Sequence, residues 1–68
     1  MWLIISGSNA PQPVALAQRE DKKQAQTFLV DYLRERNGTM NKNKMSGFYA
    51  VAGVKIKLHI EVRKRMLP

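Results

Sequence analysis

Val54-Lys55-Ile56-Lys57-Leu58-His59-Ile60-Glu61-Val62-Arg63-Lys64-Arg65 is the stretch that decides the fold. From Val54 onward it alternates without a break: Val54, Ile56, Leu58, Ile60 and Val62 share one parity, and Lys55, Lys57, His59, Glu61 and Arg63 the other. Successive side chains of a strand point to opposite faces of its sheet. The pattern therefore predicts a half-buried strand with one apolar and one basic face. The apolar parity needs a layer to pack against, and the basic parity needs solvent or a charged partner.

A helix upstream can supply that layer. Ala25, Phe28, Leu29, Tyr32 and Leu33 recur at steps of three and four and trace one apolar stripe. Asp21 followed by Gln24 resembles a capping box, in which side chains satisfy the orphan amides of the first turn. Glu20 and Asp21 stand at the positive end of the helix dipole, Arg34 and Arg36 at the negative end. Asn37-Gly38 predicts the stop, with Gly38 in the left-handed conformation that a residue without Cβ adopts cheaply. The helix is expected over about residues 21–37.

Around these two elements the rest of the chain falls into place. Trp2-Leu3-Ile4-Ile5-Ser6 is apolar on both parities, which suits a central strand. Gly7-Ser8-Asn9-Ala10-Pro11-Gln12-Pro13 has strong turn chemistry. Val14-Ala15-Leu16-Ala17-Gln18 fits a second strand or an early helical turn; the strand is preferred, because Pro13 and the helix start leave little room. Thr39 to Gly47 reads as a polar, basic loop, and Phe48-Tyr49-Ala50-Val51-Ala52 as the start of a further strand. Gly53 is either half of a tight turn with Ala52 or a bulge in one long strand. The expected fold is α+β: a small antiparallel sheet of three or four strands, ββαβ(β), with one helix on one face and the last strand beside the first. Residues 1–68 form a single domain.

Composition sets the limits. A chain of 68 residues lies near the lower bound at which one core holds a fold, and without cysteine it has neither disulfide nor zinc to brace it. A homodimer contact would extend the buried area. The lack of cysteine points to a reducing, cytoplasmic setting. Met1 to Ile5 is too short for a signal-peptide core, and no stretch approaches the roughly 20 apolar residues that span a bilayer, so no membrane role is expected. Twelve Lys and Arg against five acids give a net charge of +7 and a pI near 10.3. Such a balance suits nucleic acid or an acidic protein surface. A charge of this size also serves solubility alone, so only its distribution can decide.

The uncovered sheet face gives the charge an address. Lys55, Lys57 and Arg63 recur at two-residue steps of about 7 Å, comparable with phosphates along a single strand. Trp2 with Ile4, or else Leu3 with Ile5, shares that face, and so does Phe48 or Tyr49. With Trp2 and one of Phe48 or Tyr49 there, bases could stack beside the cations. Apolar residues of the first strand left bare on it would need a ligand or a second subunit to cover them. Lys42 and Lys44, between Asn41 and Asn43, form a second basic cluster, and Lys64 and Arg65 continue the strand as a basic tail.

Chemistry beyond binding is not expected. His59 is the only histidine, so imidazole and thiol metal clusters are excluded, and its parity makes it a solvated, pH-sensitive contact. No phosphate loop, nucleophile elbow or carboxylate pair is visible; catalytic residues, metal ligands and cofactors are all read as none. The leading expectation is a basic, non-catalytic module engaging DNA or RNA with low specificity, through Lys55, Lys57, His59, Arg63, Lys64, Arg65, Lys42, Lys44, Trp2 and Tyr49. The second is a protein-binding modulator or inhibitor of a larger enzyme, of the kind encoded by phage or other mobile elements, set against an acidic surface.

Overall fold

The computed structural model describes residues 1–7 and 11–63. They form one helix and five strands: β1 (Trp2–Ser6), β2 (Val14–Arg19), α1 (Lys22–Glu35), β3 (Thr39–Met40), β4 (Ser46–Val51) and β5 (Val54–Val62). The strands make one antiparallel sheet in the order β2-β1-β5-β4-β3. The fold is α+β with a helix over one sheet face, as the two periodicities imply. The sheet is larger than the three or four strands expected, and the element order is ββαβββ rather than ββαβ(β).

The additional strand comes from the segment read as a loop. Thr39 pairs with Phe48 and Met40 with Gly47, so β3 is a two-residue strand on the far edge. Residues 41–45 close that hairpin: Asn41 N–H donates to Ser46 O (2.9 Å), Lys44 N–H to Asn41 O (3.0 Å) and Met45 N–H to Asn43 Oδ1 (2.9 Å). The Asn43 side chain, accepting where a backbone carbonyl would, helps so polar a stretch to turn so tightly.

Gly53 belongs to a turn. Val51 pairs directly with Val54, and Ala52 (φ 52°) and Gly53 (φ 80°) both take positive φ. This is the two-residue type I′ geometry, whose twist matches the flanking strands. Ala52 holds the first position although it has a Cβ, and that disguised the turn in the sequence.

The helix starts at its Asp21 cap, with Asp21 Oδ1 accepting from Lys23 N–H at 3.0 Å; the bond is to the second amide of the helix, and the reciprocal bond of a capping box from Gln24 is not formed. Its end differs from expectation. Asn37, not Gly38, adopts the left-handed conformation (φ 56°). Asn37 N–H donates to Arg34 O (3.3 Å) and Gly38 N–H to Leu33 O (2.7 Å), the paired bonds of a Schellman stop. Asparagine tolerates this conformation nearly as well as glycine. Glycine at 38 serves a steric purpose: a Cβ there would lie 2.6 Å from Phe48 O and 2.9 Å from Leu33 Cδ2.

Ala25, Leu29 and Leu33 of the helix are buried against Ile4, Leu58 and Ile60 of the sheet. Ile4, Leu29 and Leu58 are the largest side chains buried almost completely, each worth roughly 1.5–3 kcal/mol. Phe28 and Tyr32, expected in the same stripe, are only half-buried on one flank. There Tyr32 stacks on Phe28 (5.9 Å between centroids) and meets Tyr49 edge-on (6.0 Å). A bulge between Ile4 and Ile5 shifts the β1–β2 register, and Leu16 and Ala17 both pack against the helix-side core. The bulge also roughens the β2 edge, which discourages pairing with another sheet.

Candidate functional site

Pairing sorts the side chains between the two faces, because directly opposed residues of adjacent strands share a face. Trp2 lies opposite Val62 and Ile4 opposite Ile60, with Leu58, Ile56 and Tyr49 on the same, helix-covered side. The uncovered face then holds Leu3 and Ile5 of β1, Ala15 and Gln18 of β2, Ser46, Phe48 and Ala50 of β4, and Lys55, Lys57, His59 and Glu61 of β5. Across the middle, Ala15, Ile5, His59 and Ser46 form one row over four strands. The next row is Lys57, Phe48 and Thr39.

Lys55, Lys57 and His59 therefore stand together as the alternation implies, with the exposed Arg63 just past the strand, where its N–H donates to Met1 O at 2.9 Å. Two aromatic expectations are corrected. Trp2 lies on the helix side, under Lys22 Nζ at 5.8 Å from the ring centroid. Tyr49 is also on that side, edge-on to Tyr32 and beside the Arg36 guanidinium, whose carbon is 5.8 Å from the Tyr49 centroid and 3.5 Å from that of Tyr32. Neither ring is available to the basic face. Lys44 is displaced as well: it lines a shallow depression with Lys23, Gln26, Thr27 and Val30 on the helix flank. Lys42 is exposed in the β3–β4 turn, and Lys64 and Arg65 lie outside the described residues.

Phe48 is the aromatic that the basic face does carry. It sits opposite Lys57, and Lys55 Nζ rests 4.1 Å from its ring centroid. A signal for it existed in the sequence. Reading Ala52-Gly53 as a two-residue turn pairs Val51 with Val54, and counting back by parity sets Phe48 against Lys57. Beside the ring is an open notch of about 420 Å³ whose rim includes Asn41, Ser46, Lys57 and His59. Asn41 Nδ2 donates to Ser46 Oγ, which leaves the amide oxygen free as an acceptor.

The two halves of the chain differ in charge. Residues 1–38 carry five Lys and Arg against four acids, whereas residues 39–68 carry seven against Glu61 alone. Nearly all of the net charge therefore belongs to the hairpins and tail rather than to the helix. Glu61 divides the row: it lies 3.4 Å from His59 Nε2, between the Lys55–Lys57 pair and Arg63. Lys55 and Lys57, beside Phe48, are the two cations of this strand face with no acid between them.

Leu3 and Ile5 need no partner. They are 8% and 7% exposed although no helix covers them, because flanking side chains close over them; Pro13, Ala15, His59, Glu61 and Arg63 line a shallow depression with them. The expectation that a bare apolar strip must be covered by a ligand or a second subunit is not met. Among the described residues no group of three His, Asp or Glu could hold a metal ion, and no helix is long and apolar enough to cross a membrane. The chain matches no protein-family profile, no curated protein and no solved structure.

Proposed function

We propose that the protein is a non-catalytic nucleic-acid-binding module whose contact surface is the uncovered face of the sheet. The observation that supports this most is the gathering of Lys55, Lys57 and Phe48 on that face, with Arg63 at its end, while the helix and four of the five acids lie elsewhere. Lysines at two-residue spacing follow a phosphate backbone without reading bases, so affinity exceeds specificity. The aromatic ring adds what a merely solvated face lacks. A lysine resting on an exposed ring contributes about 0.5–1 kcal/mol. A nucleobase stacked on the same ring contributes about 1–3 kcal/mol. A base therefore displaces the lysine with a net gain, and the freed ammonium becomes available to a phosphate.

Fluorescence anisotropy with labelled DNA and RNA, single-stranded and duplex, tests the reading. Binding is expected at low salt, with log Kd rising linearly with log salt in proportion to the phosphates neutralised. No anisotropy change with any of these ligands at low salt rejects it, and leaves an acidic protein surface as the partner for the same cations.

A further inference from the structure

We infer that the notch beside Phe48 is a seat for one unpaired base, so that the preferred ligand is single-stranded nucleic acid. This rests on the proposed nucleic-acid role and specifies the substrate class of the same face.

Ring placement carries the inference. Phe48 is the one aromatic on the uncovered face among the described residues; Trp2, Phe28, Tyr32 and Tyr49 lie on the helix side, under Lys22, Arg19 or Arg36. A ring set into a broad sheet cannot enter the base stack of a duplex. It can receive only a base that is already free to splay out. The notch has the composition such a base requires. Phe48 offers the apolar surface, Asn41 and Ser46 offer hydrogen-bonding groups, and Lys55 and Lys57, which line the same notch, offer cations to the flanking backbone.

Asn41 and Ser46 are already bonded to each other, which fixes the amide plane at the rim before any ligand arrives. Lys55 covers the ring in the free protein and must swing away on binding. With a single stacking residue, the anchor is one nucleotide and the flanking phosphates supply the remaining affinity.

The test compares wild type, Phe48→Leu and Phe48→Trp, full length, against a labelled oligothymidylate and a DNA duplex of equal length at the same low salt. Wild type is expected to bind the single strand about tenfold or more tighter than the duplex. Phe48→Leu should weaken single-strand binding about tenfold while leaving duplex binding and the salt slope unchanged, since no phosphate contact is lost. Phe48→Trp should retain binding, and its emission in excess of the wild-type Trp2 signal should be quenched by the oligonucleotide; this difference readout keeps the test decisive if Phe48→Leu folds poorly. Equal single-strand and duplex affinity, an unaffected Phe48→Leu, or an unquenched Phe48→Trp each overturns the base seat while leaving the basic face as the binding surface. Failure of wild type to bind any nucleic acid overturns both.

Discussion

Leu33 occupies a seat that exists because residue 47 has no side chain: a Cβ on Gly47 would overlap Leu33 Cδ1 and come within 2.6 Å of the Thr39 carbonyl oxygen. The contact joins the C-terminal end of the helix to the β3–β4 hairpin. It thereby sets the height at which the hairpin carries Phe48 on its opposite face. Sequence, packing and the candidate site meet at this one point.

Gly47→Ala should accordingly destabilise the fold by about 1–3 kcal/mol, the usual range for overpacking, because the Thr39 carbonyl is backbone and cannot swing aside. Urea unfolding measures it. Shortening the opposing side chain, as Leu33→Val, should cost less in the Gly47→Ala background than in wild type, since contacting residues couple. Strict additivity would show that the two positions do not share the space.

Ala52, like Lys44, takes a positive φ despite its Cβ. Its left-handed conformation costs an alanine roughly 1–2 kcal/mol, and asparagine much less. Ala52→Asn creates the Asn-Gly pair favoured in type I′ turns and should raise the melting temperature by several degrees, about 4–8 °C for each kcal/mol gained. Ala52→Val should lower it. Position 52 is exposed and away from the notch, so nucleic-acid affinity should not change with either. A lower melting temperature for Ala52→Asn would contradict the turn assignment.

Tyr32 gives the fold an alkaline limit. Burial holds its proton above the ordinary value of 10.0, and Tyr49 acts in the same direction, against an opposing pull from the Arg36 guanidinium. A group whose folded pKa is raised keeps its proton after the unfolded chain has lost its own, so unfolding then releases a proton. The stability from Tyr32 is fully present below pH 10 and is lost as pH rises through the folded value. Urea midpoints followed from neutral to alkaline pH should decline more steeply for wild type than for Tyr32→Phe. Parallel curves would remove Tyr32 from the account.

What the sequence reveals here depends on how local the deciding interaction is. The β5 alternation and the helix stripe are strong local patterns, and both elements lie where those patterns put them. The stripe overstated Phe28 and Tyr32, because helical spacing names a face and not its width: the sheet buries Ala25, Leu29 and Leu33 and leaves the two rings at the flank. β3 was hidden because two residues carry no period. Which aromatic lies on the basic face turned on the Ala52-Gly53 turn, where a strained alanine replaces the usual asparagine. Once that turn is known, parity moves Phe48 onto the basic face and Tyr49 off it. Trp2 could not be placed by parity at all, since both parities of β1 are apolar and only its register with β5 assigns the faces.

The distribution of charge, rather than its total, should govern binding. Lys55, Lys57 and Arg63 replaced together by Gln leave Val54, Ile56, Leu58, Ile60 and Val62 untouched, so the melting temperature should stay close to that of wild type. Most nucleic-acid affinity should be lost, and the slope of log Kd against log salt should fall by about two for a single strand if each cation meets one phosphate. Lys22, Lys23 and Arg34 replaced by Gln remove the same charge from the helix and are the matched control. The two variants have equal net charge, so any difference between them measures position alone. The helix variant should keep near wild-type affinity and nearly its full salt slope, with only the small loss expected from weaker long-range attraction. Equal weakening in both would assign the binding to net charge and remove the sheet face from the mechanism.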